Sequence, residues 1–150
     1  MQQANRYIEF KDDGPGGEEE RRRLKEQWKS GLLKASLVVV VLFAALYHFL
    51  MTGKPAVITS LYRKKTTDSG VHEDGRGADL RSRHLTAEQA QEWEDAINRA
   101  FPWYGKYSSS TTAKTALIHE IRGEDGKSEG VHLHLQTPPS EPQPRENSIV

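Results

Sequence analysis

The chain has 150 residues, 28% of them charged, with 21 Lys and Arg balanced by 21 Asp and Glu, and no cysteine. That balance supplies no net field to gather nucleic acid or an acidic substrate, and the missing thiols exclude disulfide staples, thiolate nucleophiles and zinc–thiolate sites. Once the one long apolar run is set apart, what remains is too short to bury a large core.

Residues 1–17 read as a flexible arm. Tyr7-Ile8-Glu9-Phe10 suits a short strand or a docking segment, and the Gly- and Pro-rich stretch Lys11–Gly17 stops any helix from running back toward Met1. A charged juxtamembrane helix is predicted over 18–30. Its acidic triplet Glu18–Glu20 suits a helix N-terminus, and Glu18–Arg22 and Glu19–Arg23 are acid-first i,i+4 pairs. Only Ser30-Gly31 weakly interrupts the pattern before Met51, so one continuous helix is compatible with the sequence, with Trp28 at its interfacial level.

Residues 31–52 are the apolar run. Ala35–Met51 contains no acid, Lys, Arg, Gly or Pro, and with Gly31-Leu32-Leu33 it approaches the ~20 residues that cross a bilayer core. The reading is an uncleaved transmembrane helix, with Leu37, Val39, Leu42, Phe43, Leu46 and Phe49 as membrane-anchor residues. A signal peptide fits poorly, because about thirty partly acidic residues precede the run and Thr52–Ala56 makes a poor cleavage site. A buried core helix is set aside because the rest of the chain offers little apolar surface to wrap a helix that is hydrophobic all round. Tyr47 and His48 fall at the interfacial end. Six basic residues before the run (Arg21, Arg22, Arg23, Lys25, Lys29, Lys34) against four after it (Lys54, Arg63, Lys64, Lys65) place the N-terminus inside.

Residues 53–84 read as a linker with a possible short strand at Ala56–Tyr62. A small α+β unit follows over 85–136. Thr86 and Gln89 form a capping box. Ala90, Trp93, Ile97, Ala100 and Phe101 share one helical face, and Pro102 ends the helix. Thr115–Arg122 and Val131–Leu135 alternate on either side of a polar, Gly-bounded loop, which predicts a hairpin. Leu117, Ile121, Val131, Leu133 and Leu135 are expected on one face, together with His119, and Glu120, Arg122, His132 and His134 on the other. Residues 137–150 carry prolines at 138, 139, 142 and 144 and read as a disordered, polyproline-leaning tail.

The fold class expected is therefore a single-pass transmembrane α-helix with a small α+β (helix plus β-hairpin) C-terminal unit and flexible termini. No nucleophile elbow, phosphate loop or paired catalytic acids occur, so the chain reads as non-enzymatic and without a cofactor. Its expected role is that of a structural, accessory or assembly component of a membrane complex, cellular or viral. Its partners would be the lipid bilayer and other subunits, not nucleic acid, met through Trp93, Ile97, Trp103 and Tyr104. One alternative is a metal-handling accessory in which His132 and His134 share a strand face and Glu120 from the paired strand completes the ligand set, if the register brings it opposite either histidine. Another is an adaptor whose terminal Ser148-Ile149-Val150, exposed to the cytosol, is read as a PDZ-type ligand.

Overall fold

A computed structural model describes residues 6–61, 75–102, 114–122 and 128–138. In chain order the elements are β1 (Ile8–Phe10), α1 (Gly17–Lys29), α2 (Ala35–Thr52), β2 (Ala56–Ser60), β3 (Gly77–Arg81), α3 (Ala87–Ala100), β4 (Ala116–Arg122) and β5 (Ser128–Gln136). The five strands form one mixed sheet in the order β1-β2-β3-β5-β4.

The segment expected to be an arm thus contributes a strand, and the segment expected to be a linker contributes two. β1 pairs in parallel with β2, Ile8 opposite Ala56 and Phe10 opposite Ile58. A parallel pair needs a long crossover, and α1 with α2 provides it. β2 pairs antiparallel with β3 across an irregularity between Ile58 and Ser60. Asp13 ties the arm down further, accepting from Arg81 at 2.6 Å and from Arg83 at 3.3 Å. Hydrogen bonding by Arg81, with the charges of Arg81 and Arg83 behind it, holds the Asp13 carboxyl below the usual carboxylate range.

The two helices of the crossover are separate. Gly31 lies at φ 76°, a left-handed conformation that glycine tolerates and other residues rarely adopt. α1 ends at Lys29 and α2 starts afresh at Ala35. At its far end α2 closes on Gly53, at φ 73°, whose N–H donates to the Phe49 carbonyl.

Strand alternation sorts the sheet into two faces. Ile8, Phe10, Ala56, Ile58, Ala78, Leu80, Ala116, Leu133 and Leu135 share the face beneath the helices and are all buried. α1 lies against β1 and β2, α2 crosses β2, β3 and β5, and α3 packs on β4 and α2. α2 is therefore the central cover of the sheet. Leu37, Val40, Val41, Ala44 and Ala45 are wholly buried on its inner side, and each large aliphatic side chain so buried is worth about 1.5–3 kcal/mol. The apolar surface that accepts them comes from strands in the arm and linker. By length and composition α2 can cross a membrane, a test that the core helix of a soluble protein also passes.

α3 matches expectation closely. The Thr86 hydroxyl accepts from the Gln89 amide and the Gln89 side chain accepts from the Thr86 amide, both at 3.1 Å. β4 and β5 form the expected hairpin, but its register corrects the face assignment. Leu117 stands opposite His134, His119 opposite His132, and Glu120 opposite Val131. Leu117 and His119 therefore belong to the histidine face. A register shift between Ile121 and Arg122 lies within this pairing, a feature that alternation in the sequence does not show.

Candidate contact surface on α2 and the polar nodes beneath it

Among the described residues, the exposed large hydrophobics are Leu32, Val39, Leu42, Leu46 and Leu50, at 52, 51, 49, 46 and 75% exposure. Their spacing from Val39 on is three, four and four, which stacks them along one face of α2. That face lies opposite Leu37, Val41, Ala44 and His48. An ordinary surface helix would carry charged or polar residues there. α2 instead presents an apolar ridge to the outside. Of the residues expected to anchor the chain in a membrane, Val39, Leu42 and Leu46 are on the ridge, Phe43 and Phe49 lie half-buried at its flanks, and Leu37 is turned into the core.

The flanks hold α2 in place. Phe43 meets Phe101 edge-on at 5.3 Å between ring centroids, and Phe49 meets Tyr7 in the same way at 4.9 Å. Tyr47 donates to Glu92 at 3.1 Å. Trp93 is wholly buried and its indole N–H donates to the Ala44 carbonyl at 2.9 Å. Ala44 has no bulk beyond Cβ, which lets an indole reach its backbone. Trp93 and Ile97, expected at a contact surface, are fully buried core residues, because α2 occupies the face they were expected to present. Trp103 and Tyr104 lie outside the described residues, as do Ser148, Ile149 and Val150.

His48 sits beneath the ridge at 1% exposure. Its Nδ1 is 2.8 Å from the Lys54 carbonyl, which can only accept, so Nδ1 carries the proton. Its Nε2 then accepts from the Nε2–H of His84 across 2.7 Å. The pair joins the C-terminal turn of α2 to the turn before α3. His84 keeps one side open to solvent, and the pressing of its ring against this node pushes its pKa down, helped by the neighbouring His48, Arg81, Lys54 and Arg83.

The opposite face of the sheet holds the second polar node. Asp79 on β3 is buried, with His134 Nδ1 at 2.9 Å and His132 Nε2 at 3.6 Å. His134 pairs with Asp79 in the strand register. The two histidines do share a face, as their i,i+2 spacing requires, but their common partner is Asp79. Glu120 is paired with Val131, one position away from the place opposite His132. Among the described residues, no three His, Cys, Asp or Glu side chains are placed to hold a metal ion. Asp79 could not be found from the sequence, since it lies in a stretch with no readable period.

A third polar device closes the sheet's edge. Asn98 and Glu94 are one turn apart on α3. Asn98 accepts from the Ala116 N–H and donates to the Ala116 carbonyl, each at 2.9 Å. Glu94, itself buried, accepts from the Ile118 N–H at 3.1 Å and pairs with Lys114 at 3.4 Å. Side chains of α3 thus stand where another strand would otherwise pair with β4. Compared with known proteins, the chain matches no family model, no curated protein and no solved structure.

Proposed function

We propose that the protein is a non-enzymatic membrane-associated component that works by contact, with the α2 ridge as the surface it presents to lipid or to another subunit. The observation that carries this reading is the gathering of every exposed large hydrophobic among the described residues on α2 and the turn that leads into it. Apolar surface left open in one contiguous stripe marks a binding face. The non-enzymatic part is supported by how the buried polar groups are used: Asp79, Glu94 and His48 each join one element to the next.

Two arrangements satisfy the ridge. In the first, α2 stays on the sheet and its outer side meets the membrane or a partner subunit. In the second, α2 leaves the sheet and spans the bilayer with the N-terminus inside. The first is favoured by the Trp93 and His48 hydrogen bonds, which a spanning α2 would forfeit, and by the sheet face, which would lose its central cover. Flotation with liposomes tests the shared reading, which is abandoned if the protein stays at the bottom of the gradient. Alkaline carbonate then separates the arrangements: a helix lying on the surface is extracted, whereas a spanning helix remains in the pellet. Protease protection of the C-terminus in sealed vesicles fixes the orientation in the second case.

A further inference from the structure

The charges beside the α2 ridge are one-sided. Phe43 meets Phe101, Tyr47 meets Glu92 and His48 meets His84, so α3 runs antiparallel along one flank of α2. On α3, Glu88, Glu92, Asp95 and Arg99 recur at intervals of four, three and four and are all exposed, which stacks them in one row. The Tyr47–Glu92 hydrogen bond sets that row alongside the ridge. With three acids to one base the row is acidic, and an open groove lined by Ala87, Glu88, Gln91, Glu92, Asp95 and Arg99 runs with it. Bases border the ridge elsewhere. Lys34 and Lys54 are exposed at the two ends of α2, and Arg6 stacks on Phe49 at 5.7 Å on the opposite flank. Ala35–Thr52 itself has no acid, Lys or Arg.

Three occupants compete for this face. A lipid surface presents the same headgroups to both flanks, so it cannot answer a charge that lies on one flank only, and an anionic one would be repelled by the acidic row. A second copy meets like charge in either symmetric arrangement. About a two-fold axis across α2, the acidic row of one copy would face that of the other. About an axis along α2, Lys34 would face Lys34, Lys54 would face Lys54, and the helix dipoles would align. The ridge is also narrow: five side chains, four of them about half covered, fall well short of the roughly 800 Å² that each partner buries in a stable dimer. A single helix laid along α2 fits that width and can carry different charges on its two flanks.

We propose that the ridge binds one amphipathic helix of a partner subunit. Its apolar stripe lies on Leu42, Leu46 and Leu50, and a row of Lys or Arg along one flank faces Glu88, Glu92 and Asp95. This rests on the reading of the ridge as the contact surface and names a subunit, not lipid, as what meets it.

The test uses the full-length protein in a nonionic detergent and capped, fluorescein-labelled helical peptides, each three repeats of LAQLKAQ, LAQLEAQ or LAQLQAQ. They share a leucine stripe and differ in the charge of one flank, and peptide in micelles alone is the blank. The lysine peptide is expected to bind saturably and about tenfold or more tighter than the glutamate peptide, the scale of a few exposed charge pairs reversed in sign. E88K/D95K, which spares Glu92 and its bond to Tyr47, should reverse that order, and E88Q/D95N should level it, with circular dichroism checking both folds. Methyl NMR shifts on binding should fall on Leu42, Leu46 and Leu50. Equal binding of the two charged peptides, an order that E88K/D95K leaves unchanged, or shifts confined to other residues overturns the proposal. Liposome flotation separates it from the membrane reading. A protein that floats but shows no preference among the peptides keeps the membrane and loses the helix, whereas one that binds the lysine peptide and does not float keeps the helix and loses the membrane. A dimer that forms through the ridge and excludes the lysine peptide also overturns the proposal and assigns the face to a second copy.

Discussion

Trp93 and His48 show how single side chains fix an apolar helix that has little shape of its own. A Val- and Ala-rich surface can slide along a sheet at small cost, because dispersion contacts are non-directional. A hydrogen bond cannot slide. Trp93 to Ala44 and His48 to Lys54 and His84 therefore set the rotation and depth of α2. Trp93→Phe keeps a buried ring but removes the donor, and it is expected to destabilise the fold by about 1–2 kcal/mol in denaturant titration. His84 adds a pH dependence. Its pKa is lowered in the fold from its ordinary 6.5, so the unfolded chain binds its proton more readily. The stabilisation is present above about pH 6.5 and is lost as pH falls below it. The melting temperature should drop between about pH 6.5 and 5.5, and less so in His84→Gln, which retains an N–H toward His48 and no longer titrates.

At the scale of elements, α3 carries two functions on two faces. Its inner face supplies Trp93 and Ile97 to the core, and its side toward β4 supplies Asn98 and Glu94 to an unpaired edge. Asn98→Ala leaves the Ala116 N–H and C=O without partners and should cost about 1–3 kcal/mol. It should also raise aggregation, measured by light scattering, because an open edge is a template for other strands. The sequence shows α3 clearly, since its capping box, its 3.6-residue period and the terminating Pro102 all agree. The hairpin was equally legible as an element, though not in which residues share a face, because a period of two cannot reveal where the register slips. β1 and β2 showed only as candidate short strands without partners, and β3 not at all, for a different reason. Each is short, and each is stabilised by partners far along the chain: Ile8 by Ala56, and Asp79 by His134. Pairing at such a distance leaves no local pattern. Of the exposed ridge, Val39, Leu42 and Leu46 were legible as apolar, but which face of α2 they occupy was not, because apolar residues run all round this helix.

For the whole molecule, the two sides of α2 give opposite expectations for the same substitution. Leu46→Asp alters a half-exposed ridge position. It should change folding stability by less than about 0.5 kcal/mol while reducing liposome flotation severalfold. Ala45→Asp puts an acid into a fully buried site one residue away. An unpaired buried charge there should prevent stable folding. A helix surrounded by lipid on all sides would respond to the two changes alike. Circular dichroism of both variants in mild detergent therefore reports whether the sheet still covers α2.

The order in which the chain is made bears on the same helix. α2 is complete at Thr52, yet α3 and β5, which cover it, end at Ala100 and Gln136. At a synthesis rate of about 5–20 residues per second, the roughly eighty residues from Thr52 to Gln136 take roughly 4–17 s. For that interval the 18-residue apolar helix exists while part of its cover, α3 and β5, is still unmade. Any factor that delivers apolar helices to a membrane meets α2 first, and the sheet can compete only afterwards. Pausing translation after residue 52 should therefore shift the protein toward the membrane, whereas supplying the sheet-forming segments early, by circular permutation, should shift it toward the folded form.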